Sequence, residues 1–217
     1  MRFLVTLIAV FFSVAALAQE PFKLAVLGDS LASGYRLSVD ESFYHQLQNA
    51  LQDEGFDITV LNDSKVGGTS QYGKDQLNAL LLQNPNAVIL ELGINDALQG
   101  WSIDITQQNL QDIISQLKFN KIPVMLVGME APLTQPATYR KDFRDMYLKL
   151  ADENDLILYP FFMKGLWHET NPLLSNPAYF LGDTVHPSRF GVELMVQNIT
   201  PTVVEFLTPV YQAWEKR

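Results

Sequence analysis

Four short polar segments in this 217-residue chain each stand where an apolar run stops. They are Gly28-Asp29-Ser30, Gly67, Gly93-Ile94-Asn95-Asp96 and Asp183-Thr184-Val185-His186-Pro187. Together they hold the parts that acyl transfer to water needs: a hydroxyl nucleophile, donors for a developing oxyanion, and an imidazole with a carboxylate to orient it. Taken singly, each has a plainer reading. Gly-Asp-Ser reads as a helix cap, Gly67-Gly68 as a loop, Asn95-Asp96 as a turn, and Asp183-x-x-His186 as a cap beside a surface histidine. Their joint occurrence, in this order, points to a site.

The residue types assign roles. Ser30 follows Gly28 at an expected strand-to-helix turn, where glycine permits a tight turn and a helix start presents hydroxyl and N–H to a crevice. Ala32 takes the place of the last glycine of Gly-x-Ser-x-Gly, so the α/β-hydrolase elbow is not indicated. Asp183 and His186, three apart, are expected on one face of a helical turn. Asp183 can then accept from Nδ1–H while Nε2 serves Ser30 as base and later as acid. Pro187 keeps His186 extended and suits the first turn of the following helix. The N–H of Ser30, the N–H of Gly67 and the Asn95 amide supply three oxyanion donors. Asp29 and Asp96 read as cap or scaffold residues. His45 falls within an amphipathic helix and His168 in a polar loop, neither with a carboxylate at the Asp183 spacing. With three scattered histidines and no cysteine, neither a zinc site nor a disulfide is expected.

These segments need a frame that brings them together. Lys23–Leu27, Ile58–Leu61, Ala87–Leu92, Val124–Val127 and Leu156–Leu158 are short apolar runs of the kind buried parallel strands show. Helical stretches are expected between them, at Phe43–Glu54, Gln71–Leu82, Thr106–Lys118 and Thr138–Glu153, with a last one from Ser188 to about Leu207. Alternating strands and helices predict a parallel sheet covered on both faces. In such a sheet the functional crevice lies beyond the carboxyl ends of the strands, where all four segments fall.

Composition bounds the rest. Arg2 followed by the apolar run Phe3–Leu17 and by Ala16-Leu17-Ala18 reads as an export signal cleaved near Ala18. Residues 1–18 are therefore expected to be a signal peptide, and 19–217 a single domain exported to the periplasm or beyond. Losing Arg2 takes the net charge from −9 to −10. Such a surface repels nucleic acid and anionic membranes, so neither is an expected partner. No stable membrane anchor and a monomer are expected.

At these residues the sequence resembles the SGNH (GDSL-type) hydrolases, in particular their bacterial periplasmic thioesterase, lysophospholipase and arylesterase branch. Gly28–Tyr35 matches the first motif; Gly67 within Gly-Gly-Thr-Ser, Asn95 within Glu-Leu-Gly-Ile-Asn-Asp, and Asp183-x-x-His186-Pro187 match the others. Pro160–Met163 is also similar to that branch. The resemblance implies a flavodoxin-like three-layer α/β/α sandwich around a central parallel sheet, with no metal or other cofactor. It implies hydrolysis of small-molecule acyl esters and thioesters, lysophospholipids among them, with Ser30, Asp183 and His186 catalytic and Ser30, Gly67 and Asn95 forming the oxyanion hole. It further implies that the loop after Asn95 closes over an acyl chain, so Leu98 and Trp101, with Phe180, are expected to line a groove; packing of these residues onto the sheet edge is the alternative. Gly68, Ile94 and the long Lys164–Gly182 segment depart from the branch and bear on substrate choice. A carbohydrate acetylesterase and a non-catalytic lipid- or glycan-binding module remain open as other functions.

Overall fold

The computed structural model describes residues 21–167 and 175–216. Two sequence expectations lie outside them: the signal segment, with the cleavage point near Ala18, and His168.

The chain alternates strand and helix as the apolar runs require. In order it forms β1 (Phe22–Leu27), α1 (Ser30–Ser33), α2 (Phe43–Asp53), β2 (Ile58–Asn62), α3 (Ser70–Leu82) and β3 (Ala87–Leu90). There follow α4 (Ile94–Leu98), α5 (Ile103–Phe119), β4 (Val124–Val127), α6 (Ala137–Asn154), β5 (Ile157–Tyr159) and α7 (Arg189–Glu215). The strands are parallel in the order β2-β1-β3-β4-β5. β1, β3 and β4 are buried almost throughout, because helices cover both faces. α2 and α7 pack together on one face, and α3, α5 and α6 lie in a row on the other. This is a three-layer α/β/α sandwich with flavodoxin-like strand order.

That order fixes where a site can be. The chain leaves β1 toward one neighbour and returns to β3 on the other side, so loops diverge where β1 meets β3. Leu27 is level with Leu90 across this pair, and Ser30 and Asn95 follow within a few residues of each. The crevice opens there.

The last helix, which already contains Pro201, outruns its expected end by two turns, through Pro209, to Glu215. The added length is held by aromatic packing. The rings of Tyr211 and Trp214 lie 5.5 and 5.7 Å from that of Phe22 at the opposite end of the sheet, and Tyr211 lies 5.0 Å from Phe56. Tertiary contact outweighs the proline penalty here.

Candidate active site

Ser30 occupies the first position of α1, and Asp29, not Ser30, is the cap: its Oδ1 accepts from the Leu31 N–H at 2.9 Å. The hydroxyl of Ser30 is thus left for other work, and its N–H sits where a helix has no internal acceptor. Gly28 is required for a different reason from the expected one. It has no left-handed φ; a Cβ there would lie 2.8 Å from Glu91 Oε2 and 2.9 Å from Ala32 Cβ. Close packing excludes a side chain.

The histidine segment meets Ser30 across most of the chain. His186 Nε2 lies 2.9 Å from Ser30 Oγ, and His186 Nδ1 lies 2.9 Å from Asp183 Oδ2. With the proton on Nδ1, held by the carboxylate, Nε2 accepts from the serine hydroxyl. The expected helical turn is not what joins Asp183 to His186. Asp183 Oδ1 accepts the N–H groups of Val185 and His186, at 3.0 and 2.9 Å, and Thr184 takes a left-handed φ of 60°. This Asx turn folds the segment so that Oδ2 reaches the ring. Partial burial tends to raise the Asp183 pKa, but the His186 and Val185 N–H groups and the imidazole outweigh it and hold it down at about 2. Pro187 does not begin the helix. Ser188 caps α7, and Pro187 instead pairs with Phe180 in an antiparallel bridge, beside the Leu181 N–H bond to the His186 carbonyl at 2.8 Å. Proline can sit there because the bridge is an isolated one.

Of the expected oxyanion donors, Gly67 lies on the loop after β2, and Asn95 in the first turn of α4, just after β3. Gly67 has φ of 74°, a conformation that favours glycine, and its N–H makes no hydrogen bond among the described residues. Asn95 Nδ2 donates to the Gly68 carbonyl at 3.0 Å and to Asp29 Oδ2 at 3.1 Å. Its neighbour Asp96 is fully buried: Oδ2 accepts from Ser70 N–H at 2.9 Å, and Oδ1 accepts from the hydroxyls of Ser70 and Thr106. Asn109 Nδ2 adds a bond to Ser70 Oγ at 3.0 Å. Asp96 therefore ties the start of α3, and with it the Gly67 loop, to the Asn95 turn.

Sequence reasoning passed over Glu91. It is fully buried behind the turn, where Oε2 accepts the Asp29 N–H at 3.3 Å and Oε1 has no partner among the described residues. Burial, then the adjoining Asp29 charge, raises its pKa well above the carboxylate range. Asp29 is pushed up to about 7, chiefly by burial and also by Asp96, against the lowering effect of Leu31 N–H and Asn95. An acid interrupting the apolar run Ala87–Leu92 was the available signal.

Of the expected substrate-side residues, Leu98 is exposed, and Trp101, half-buried, accepts from Tyr139 Oη at its carbonyl, 2.9 Å away. Phe180 is bridged to Pro187, the residue after His186, with its ring 6.2 Å from that of Trp167. His45 is half-buried on α2, within 3.4 Å of Asn49, and takes no part. Among the described residues no cluster of metal-ligating side chains occurs.

The chain is similar to known proteins in sequence and fold. The profile of the GDSL-like Lipase/Acylhydrolase family matches residues 26–194. An arylesterase of Vibrio mimicus is 34% identical over 201 residues, covering 92% of this chain and 97% of that protein. The thioesterase 1/protease 1/lysophospholipase L1 of Escherichia coli K12 is 34% identical over 185 residues, covering 83% and 84%. The crystal structure of TesA superposes with a TM-score of 0.76 at 31% identity, covering 87% of this chain and 99% of that one.

Proposed function

Since the chain belongs to the GDSL-like lipase/acylhydrolase family and is an esterase-class hydrolase, we propose that it cleaves carboxylic esters and thioesters through an acyl-enzyme on Ser30. The observation that carries the reading is the relay Asp183–His186–Ser30, with both links at 2.9 Å. His186 Nε2 takes the hydroxyl proton as Ser30 Oγ attacks the acyl carbon. The same proton then passes to the leaving oxygen or sulfur as that bond breaks. Water, deprotonated in turn by His186, attacks the acyl carbon; the bond to Ser30 Oγ breaks, His186 returns the proton to Oγ, and the carboxylic acid leaves. The N–H groups of Ser30 and Gly67 and the amide of Asn95 receive the negative oxygen at each tetrahedral stage.

The names of the relatives support aryl esters, acyl thioesters and lysophospholipids as the substrate range. Leu98, Trp101 and Phe180 are the residues assigned to the acyl chain. No described helix is long and apolar enough to cross a membrane. Residues 1–18 are assigned as an export signal and 19–217 as the exported single domain, monomeric and periplasmic or secreted.

Hydrolysis of p-nitrophenyl esters of increasing chain length, by wild type and Ser30→Ala, tests the reading. Turnover and covalent labelling by a fluorophosphonate are expected in the wild type alone. Equal turnover in the variant would remove Ser30 from the mechanism. A wild type that turns over acetyl sugars but not longer acyl esters would move the function to carbohydrate deacetylation.

A further inference from the structure

We propose that Asp29 is a positioning residue for this reaction: its carboxylate fixes one hydrogen of the Asn95 side-chain amide, leaving the other to pass from the Gly68 carbonyl to the substrate oxyanion. The inference rests on the acyl-enzyme reading above.

The Asn95 amide has two hydrogens and both are engaged, at 3.1 Å to Asp29 Oδ2 and 3.0 Å to Gly68 O. A carbonyl cannot donate, so the amide can face these neighbours only with its nitrogen. In this resting arrangement the donor expected to meet the oxyanion is occupied. One of its bonds must yield during catalysis. A bond to a carboxylate is about twice as strong as one to a neutral carbonyl. The incoming oxyanion therefore displaces Gly68 O, and Asp29 remains the pivot.

Capping does not account for Asp29. Asparagine or serine caps a helix as well as aspartate does and carries no charge. Yet this side chain is a fully buried carboxyl facing Glu91 at the end of β3, Asp96 on α4 and Tyr147 on α6. None of these supplies a positive charge. Asp29 accepts from two donors, the Leu31 N–H and the Asn95 amide, whereas Glu91 accepts only the Asp29 N–H and has one oxygen unpartnered, so the negative charge of the pair falls on Asp29 and the proton on Glu91. Because Asp29 Oδ1 also caps the helix that begins with Ser30, one carboxylate sets the nucleophile and an oxyanion donor relative to each other.

The test is a double-mutant cycle of Asp29→Asn with Asn95→Ala. Asp29→Asn keeps a capping oxygen but turns an amide N–H toward Asn95. The expected result is a loss in kcat of about 10- to 100-fold with little change in KM, the mark of an interaction made in the transition state. Affinity for a trifluoromethyl ketone, which forms a tetrahedral adduct on serine, should fall by the same factor. In the Asn95→Ala background the Asp29 substitution should cost less than about twofold more. An undiminished loss there, a loss carried by KM, or full activity in Asp29→Asn would overturn the proposal. Asp29→Ser, a good cap too short to reach Asn95, must behave alike and guards against a variant that fails to fold. Should the wild type hydrolyse no acyl ester, the functional reading falls. The Asp29–Asn95 bond is then judged on the Asn95 side-chain amide resonances, which Asp29→Asn must displace.

Discussion

The ring of Tyr35 rests against the imidazole of His186, with centroids 4.3 Å apart and planes inclined at 45°. Gly34 ends α1 in a left-handed turn that swings Tyr35 into this place, and the Arg36 guanidinium covers the ring 4.9 Å from its centroid. His186 is thus held by Asp183 at one nitrogen, by Ser30 at the other and by an aromatic surface at the side. Removing that surface frees the imidazole to tilt. Tyr35→Ala is expected to lower kcat about tenfold or more, because small misplacements of a reacting group are costly. Tyr35→Phe retains the ring and should stay close to wild type. Steady-state kinetics on one ester decide it.

Asp183→Asn should preserve the Asx turn, since an amide oxygen can still accept from Val185 and His186. It places a donor opposite Nδ1 and reverses the imidazole tautomer, with a loss in kcat of up to about 10⁴-fold. The depressed pKa has a sign that can be checked. Asp183 is ionised from neutral pH down to about 2, so its contribution is lost only on strong acidification. An acid-side fall in kcat/KM at milder pH therefore does not come from Asp183, and if it disappears from the pH profile of Asp29→Asn it belongs to Asp29, whose pKa is pushed up to about 7.

The buried carboxyl pair makes stability depend on pH in the unusual direction. In the folded chain Asp29, at pH below about 7, and Glu91 hold protons that the unfolded chain has released above the ordinary value of 3.8 or 4.5. Between the ordinary carboxylate range and about pH 7 the folded form binds more protons, so stability falls as pH rises. Glu91→Gln removes one such group. Its melting temperature should gain on the wild type as pH goes from about 5 to about 8. A constant difference across that range would sink the assignment.

Asp96→Ala should damage both fold and activity. It leaves the Ser70 N–H and two buried hydroxyls short of an acceptor, at a cost of about 1–3 kcal/mol for each group left unpaired. It also unties the Gly67 loop from the Asn95 turn. Calorimetry should show the lower melting temperature, and kcat should fall at temperatures where the variant remains folded.

Trp101→Ala tests the acyl groove. If Leu98 and Trp101 meet the chain of the substrate, the variant loses more on octanoyl than on acetyl esters, because each buried methylene contributes about 0.8 kcal/mol. An unchanged ratio of the two rates would show that Trp101 only packs on the sheet edge.

Much of this arrangement was legible before any coordinates. Continuous apolar runs ending in polar segments located the strands, and parallel topology put Ser30, Gly67, Asn95 and His186 at one edge. Four features were not legible, each for a physical reason. The Asp183–His186 spacing fits a helical turn and an Asx turn equally well, and only the backbone N–H partners distinguish them. Gly28 could be read as a turn glycine, whereas its need is room beside Glu91, a contact 63 residues distant along the chain. Tyr35 carried no periodic signal, because its partner is a histidine more than a hundred residues later. The full length of α7 is set by packing of Tyr211 and Trp214 on Phe22, a contact with the first strand that the local pattern does not carry.

The strip from Ala178 to Ser188 closes on itself. Ser188 binds the carbonyls of Ala178 and Tyr179, and Leu181 binds that of His186. The imidazole is carried on a buckle fastened by bonds within the strip, so the station of the base is set by this short stretch of backbone and not by the loops on the far side of the crevice.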